Sequence, residues 1–262
     1  MTSPVQSRSQ IPTAKRIVVK VGSSSISGEN VGQIGPLVDA LAAAHLRGSE
    51  VILVSSGAIA TGIPFLKLDA RPTDLATQQA AAAVGQNLLI YRYQNSLRRY
   101  SIVAGQVLLT AGDLENPTHR GNAQRAMERL LDLRILPIVN ENDTVATHEI
   151  RFGDNDRLAA LVSQLVQADV LILLSDIDAL YTRPPLEPGA EKITHVDFDD
   201  QLSAVKFGDI GAAGVGTGGA GTKVAAAKLA AVSGTPVLLA STGDVAAALQ
   251  GADIGTWFAA AD

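Results

Sequence analysis

The order of patterns along this chain predicts an α/β protein: an αβα sandwich built on a mostly parallel central sheet. Three observations carry that expectation. Short apolar runs of strand length alternate with longer stretches of helical periodicity. Several of the runs are nearly continuous in Val, Ile and Leu, as strands buried on both faces require. Hydrophobic residues make up 47% of the 262 residues and aromatics only 4%, so a sizeable core has to be filled by Ala, Val, Leu and Ile.

Taken in order, residues 1–14 are polar and Ser-rich and are expected as a disordered tail. Arg16-Ile-Val-Val-Lys-Val21, stopped by Gly22, is the first strand. Val31, Ile34, Leu37, Val38, Leu41 and Leu46 recur at helical spacing, with Gly48 as the stop. Val51 to Val54 is a second buried strand closed by Ser55-Ser56-Gly57. An Ala-rich helix spans about Asp74 to Tyr100, Ile102 to Leu109 is a strand, Asn122 to Leu133 a helix and Ile135 to Val139 a strand. Val145 to Phe152 is expected as a short hairpin, Leu158 to Val166 as a helix and Val170 to Leu174 as a strand. The Pro-, Glu- and Gly-rich stretch Thr182 to Lys192 is a surface excursion. Beyond it, helix Val224 to Val232, strand Pro236 to Leu239, helix Val245 to Leu249 and strand Ile254 to Phe258 complete the alternation.

Composition removes several classes of function. A net charge of −5 argues against a nucleic-acid partner, which favours a basic face. The absence of cysteine excludes disulfides and thiolate metal sites. Met1 to Thr13 lacks the apolar stretch of a signal peptide, and no apolar run nears the ~18 residues of a membrane span. The expectation is a cytoplasmic protein without a membrane association.

Four features carry chemistry, the first of them a pair of clusters. Asn140-Glu-Asn-Asp143-Thr144 and Gly153-Asp-Asn155-Asp156 bracket one short segment, the first where a strand stops and the second where a helix starts. Such ends are where α/β proteins place their chemistry. In Val19-Lys20-Val21-Gly22-Ser23-Ser24-Ser25, a lysine inside an apolar strand is costly unless it meets an anion, and Gly22 lets backbone N–H groups come close to one. A lysine snorkelling at a sheet edge is the competing reading. The third segment, Gly211 to Lys223, has six glycines between residues 211 and 221 and opens a helix, an arrangement that binds phosphate. Gly214, Gly216 and Gly219 formally fit G-x-G-x-x-G, but the preceding strand and the later acidic residue of a dinucleotide site are missing. Gly216 to Gly221 has P-loop spacing, yet Thr222-Lys223 follows where Lys-Ser/Thr is required. The fourth, Ser55-Ser56-Gly57-Ala58, offers hydroxyl and N–H donors to a carboxylate, or is simply a helix cap. Leu173-Leu174-Ser175-Asp176 is a weaker fifth feature, a buried strand end that could face a nucleoside. Two separated lysines, two glycine turns and an acidic cluster together point to phosphoryl transfer. His45, His119, His148 and His195 show no metal-ligand spacing and most are expected at the surface; no metal ligand is assigned.

Together with Val84-Gly-Gln86 and Gly105-Gln-Val-Leu-Leu109, these segments resemble the amino-acid kinase family, over roughly Arg16 to Phe258. Within it they are most similar to the members that phosphorylate the side-chain carboxylate of glutamate at the start of proline synthesis. The paired Asn-Glu-Asn-Asp and Gly-Asp-Asn-Asp words are the specific part of the likeness. The resemblance implies a kinase domain over 15–262, with L-glutamate bound by the portion to about residue 168 and ATP, with Mg2+, by residues 169–262. Carried over residue by residue, Lys20 and Lys223 stabilise the transferred group and Asp156 orients them. Ser56, Asp143 and Asn155 contact glutamate. Lys20, Ser175, Asp176, Thr217, Gly218, Gly219, Ala220, Gly221, Thr222 and Lys223 line the ATP site. Proline is implied as a feedback inhibitor held by Ser56 and Asp143, with Arg151 as a charge contact. A homo-oligomer, dimer or tetramer, is expected, its face supplied by the Ala-rich helix near residues 76–90. Many members carry a further C-terminal PUA module; none is expected within residues 15–262. It departs from the family pattern at Ala179 and at Ala220-Gly221, both beside the nucleotide. Aspartate, N-acetylglutamate and uridylate kinases, or a non-catalytic sensor of the same fold, are the competing members. A carboxylate such as Asp143 favours a substrate with a free ammonium over an acylated one.

Overall fold

The computed structural model describes residues 5–68, 72–145, 155–206 and 219–261. Its strands are β1 (Arg16–Val21), β2 (Glu50–Ser55), β3 (Ala104–Leu109), β4 (Leu136–Glu141), β5 (Val170–Ser175), β6 (Leu180–Tyr181), β7 (Lys192–Ile193), β8 (His195–Val196), β9 (Val237–Ser241) and β10 (Thr256–Phe258). Its α-helices are α1 (Ile34–Leu46), α2 (Ala58–Gly62), α3 (Leu75–Leu97), α4 (Ala111–Glu115), α5 (Pro117–Asp132), α6 (Asn155–Leu165), α7 (Ala220–Val232) and α8 (Val245–Leu249).

Eight strands form one sheet in the order β3-β4-β2-β1-β5-β9-β10-β8, parallel except where β10 runs against β9; β6 and β7 make a separate small hairpin. Strand alternation divides the core into two layers. Ile17, Val19 and Val21 face α1, α3 and α8, whereas Val18 faces the layer that contains Met127, Leu158, Val162, Ala227 and Ala230 of α5, α6 and α7. Lys20, two residues beyond Val18, therefore falls on the α6–α7 side. The αβα sandwich expected from the sequence is the observed architecture.

Boundaries differ where capping outranks apolar periodicity. Helix α5 begins at Pro117, five residues before the expected Asn122, because the Asn116 side chain accepts from the N–H groups of Thr118 and His119 and Pro117 occupies the first helical turn. Thr110 and Asp113 form a reciprocal capping box that nucleates the unforeseen α4. Helix α1 starts only at Ile34, the stretch Gly28–Gln33 being 3-10 helix, and Gly48 follows its end at φ +114 as expected.

The expected tail is corrected over its described part, residues 5–14. Arg8–Thr13 forms a 3-10 helix with Ile11 fully buried, and Val5 also lies in the core. Arg8 Nε donates to the Ile254 carbonyl at 2.8 Å, and Arg8 pairs with Asp253. Two apolar anchors and one arginine suffice to fix a segment whose average composition is polar. Of the histidines, most of them expected at the surface, His45 is buried on α1, and Arg134 donates to its carbonyl. The expected hairpin lies almost wholly outside the described residues, as do Arg151 and residues 207–218, which include Gly214, Gly216, Thr217 and Gly218. No helix among the described residues is long and apolar enough to cross a membrane.

Candidate active site

Three charged side chains from three distant segments meet between β1, α6 and α7. Lys20 arrives from β1, whose alternation turns it toward α6; Asp156 sits in the first turn of α6; Lys223 sits in the first turn of α7, where its N–H donates to the Gly219 carbonyl. Lys20 Nζ lies 2.5 Å from Asp156 Oδ1 and Lys223 Nζ 3.1 Å from Asp156 Oδ2. All three side chains are less than one-tenth exposed. Thr222 Oγ1, with one proton to share between two acceptors, lies 3.2 Å from Asp156 Oδ2 and 2.9 Å from the Gly219 carbonyl. Burial pushes the Asp156 carboxyl up, but the two ammonium groups outweigh it and hold the group down at about 2. The triad thus carries a fixed formal charge of +1 in a buried setting, and the N-terminus of the 13-residue α7 adds its partial positive charge. It is built to meet an anion.

Around it stand the strand ends. Gly57 adopts φ +93, a left-handed conformation suited to glycine, and turns the chain from β2 into α2. Neither serine before it caps that helix, which removes the cap reading. Ser55 Oγ instead lies 3.0 Å from the fully buried Tyr93 Oη of α3 and donates to the Ser56 carbonyl at 3.1 Å. Helices α2 and α3 touch backbone to backbone: a Cβ on Gly85 would sit 1.8 Å from the Ala58 carbonyl oxygen, and one on Gly62 would sit 1.9 Å from that of Ala81. The Ser56 turn is therefore held from behind by α3. Asn155, buried at the start of α6, leaves its Oδ1 without a hydrogen-bond partner among the described residues.

At the end of β4, Asp143 is buried in the wall of a pocket of about 220 Å³ with Gln86, Asn87, Gln106, Leu108, Glu141 and Asn142. Burial, and then the nearby Glu141 carboxylate, push the Asp143 carboxyl up to about 7. Ser175 is buried at the end of β5 and donates to Asp176 Oδ1 at 2.9 Å, while Asp176 is exposed. Thr242 Oγ1 lies 2.9 Å from Ser25 Oγ and 3.1 Å from the Ser175 carbonyl, joining the ends of β1, β5 and β9.

The structure thus joins Lys20, Asp156, Lys223 and Thr222 directly and puts Asn155 beside Asp156 in sequence. Ser56 and Asp143 mark two further strand ends on the same edge of the sheet. Gly219, Ala220 and Gly221 form the entry to α7. The contributions of Tyr93 and Thr242 left no mark in the sequence, because a tyrosine at helical spacing and a lone threonine after a strand read as ordinary core and cap.

A parallel sheet with a buried Lys-Asp-Lys triad at the strand ends and a glycine-led helix entry defines a phosphotransferase-like site, and the comparisons name its class. Residues 15–241 match the model of the "Amino acid kinase family", and the chain belongs to that family. A glutamate 5-kinase of Clavibacter sepedonicus is 76% identical over 253 residues, covering 97% of each chain, and one of Leifsonia xyli subsp. xyli is 74% identical over 257 residues, covering 98% of this chain and 95% of the relative. A longer glutamate 5-kinase of Salinispora arenicola is 54% identical, with 96% of this chain matching 69% of it. Among solved structures, carbamate kinase from Giardia lamblia bound to AMP-PNP superposes with a TM-score of 0.68 at 14% identity, covering 95% of this chain and 100% of the kinase, which shows the shared fold.

Proposed function

We propose that this chain transfers the γ-phosphoryl group of ATP to the side-chain carboxylate of L-glutamate, the activity for which its relatives are named, giving L-glutamyl 5-phosphate and ADP. The observation that supports it most is the buried Lys20–Asp156–Lys223 triad, a net positive centre whose geometry the single carboxylate fixes. A glutamate side chain is ionised at neutral pH, so its oxygen attacks phosphorus without a general base. The new bond joins that oxygen to phosphorus, the bond to the β-phosphate oxygen breaks, and ADP leaves with the electron pair. Negative charge spreads over the migrating group and the leaving oxygen, where two oriented ammonium groups lower the barrier.

In this reading Asp143 takes the substrate ammonium, Ser56 and Asn155 hold polar groups of glutamate, and Ser175, Asp176 and residues 217–223 line ATP. The portion to about residue 168 serves glutamate and the rest serves ATP. Among the described residues no three His, Asp or Glu side chains group as a metal cage, and both Asp156 oxygens already face ammonium groups. The donor set fits Mg2+ carried on the nucleotide phosphates, where it would neutralise charge during transfer. Proline, with a carboxylate and a charged secondary amine, has the groups to compete at Ser56 and Asp143. A homo-oligomer is part of the same proposal, supported by Val84 and Tyr91 exposed on α3 and Val103 and Leu108 exposed at the β3 edge. So is a cytoplasmic site of action, where ATP and glutamate are at hand.

An ADP-release assay tests the reading with glutamate, aspartate and N-acetylglutamate, each with and without proline. Glutamate is expected to turn over best and N-acetylglutamate poorly, because the acylated nitrogen brings no cation to Asp143. Equal turnover of N-acetylglutamate would overturn the assignment.

A further inference from the structure

The carboxamide of Gln86 has a fixed orientation, and the backbone fixes it. The N–H of Glu141, which can only donate, bonds the Asn140 side chain at 2.9 Å, so the Asn140 atom there is Oδ1. Asn140 Nδ2, which also can only donate, then lies 2.6 Å from Gln86, so the Gln86 atom there is Oε1. Asn140 is 1% and Gln86 9% exposed, which leaves water little room to rearrange the pair. The two donors of Gln86 Nε2 are thereby committed to the remaining side of the amide, and Gln86 lines the same pocket as Asp143. An ordinary packing glutamine needs no such relay of two hydrogen bonds across two elements.

We propose that Gln86 is a substrate-binding and specificity residue, its Nε2 donating to the main-chain carboxylate of glutamate. This rests on the function proposed above. In an α-amino acid the ammonium and the carboxylate sit on one carbon, so a molecule whose ammonium meets Asp143 carries its carboxylate to a neighbouring wall of the same pocket. Asp143 and Glu141 would repel that carboxylate there. A neutral donor with an orientation set in advance offsets the repulsion, and it does so without a cation that would pair with Asp143 and displace the substrate ammonium. Gln86 Nε2 meets both needs. It also explains why α3 matters beyond packing, since the same helix that holds the Ser56 turn supplies this donor.

Gln86→Glu tests the assignment, because it keeps the acceptor that Asn140 needs and turns the donor into a negative acceptor at almost unchanged shape. The wild-type chain and the variant are compared with glutamate and with isoglutamine, in which the main-chain carboxylate has become a carboxamide able to donate. The variant is expected to raise the KM for glutamate about tenfold or more, as for a lost hydrogen bond to a charged group, with the KM for ATP nearly unchanged. Its preference for glutamate over isoglutamine should narrow by a similar factor. An unchanged KM for glutamate, or equal rises in the KM for glutamate and ATP, would overturn the role of Gln86 while leaving the proposed reaction standing. Absence of glutamate turnover in the wild-type chain would overturn both. Should Gln86→Glu not fold, Gln86→Met removes the donor without adding charge, and the same KM comparison decides.

Discussion

Asp156 and Asp143 are both buried carboxylates at ends of the same sheet, yet their surroundings drive them in opposite directions. Asp156 faces Lys20 and Lys223 and is held ionised, with its pKa down at about 2. Asp143 sits beside Glu141, and burial pushes it up to about 7. The first is a permanent charge that spaces two cations. The second is a group that a cationic ligand would stabilise, because an incoming ammonium brings it a counter-charge. Under the proposed function, one carboxylate serves the architecture of phosphoryl transfer and the other serves substrate choice.

The comparison breaks most visibly at Asp156. Asp156→Asn leaves two buried ammonium groups facing each other, which should cost about 3–5 kcal/mol of folding stability. Urea unfolding near neutral pH measures it. The sign of the pH dependence follows from the lowered pKa. The wild-type contribution is fully present above the unfolded value near 3.9 and is lost as pH falls toward about 2, so the gap between wild type and variant should close on acidification. A variant as stable as wild type would show that the triad is not the charge balance described here.

Lys20→Ala and Lys223→Ala sharpen the same side. Each should lower kcat by roughly 10²-fold, the usual loss for one donor to a developing charge, with little change in the KM for ATP. Steady-state kinetics separates the two parameters. A near-normal kcat with only a raised KM for ATP would make the lysines nucleotide anchors and nothing more.

Much of this was legible in the sequence for a physical reason. A lysine within Ile-Val-Val-Lys-Val sits where a charge is costly without an anion, and Lys223 follows a glycine-led helix entry suited to phosphate. Those residues pointed to anion binding, whereas the link of Asp156 to both lysines was implied only by the family resemblance, and its distances needed coordinates. Strand positions were readable because parallel strands are continuous apolar runs. Helix starts were not, since Asn116-Pro117 and the Thr110–Asp113 box act through hydrogen bonds rather than periodicity. Ile11 was hidden by averaging a polar segment, and His45 by its isolation. The Asn140–Gln86 relay and the Tyr93–Ser55 bond join residues 54 and 38 positions apart, and no local pattern encodes contacts at that range.

The most direct test of the contrast between the two carboxylates is the KM for glutamate as a function of pH, in wild type and in Asp143→Asn. If Asp143 must be ionised to hold the ammonium and its pKa is about 7, the wild-type KM should rise about tenfold between pH 8 and pH 6. Over the same range the KM for ATP should stay nearly level. In Asp143→Asn the KM for glutamate should be high at every pH and lose this dependence. A wild-type KM that is flat from pH 8 to 6, or an Asn variant that keeps the wild-type profile, would contradict the assignment of Asp143 to the substrate ammonium.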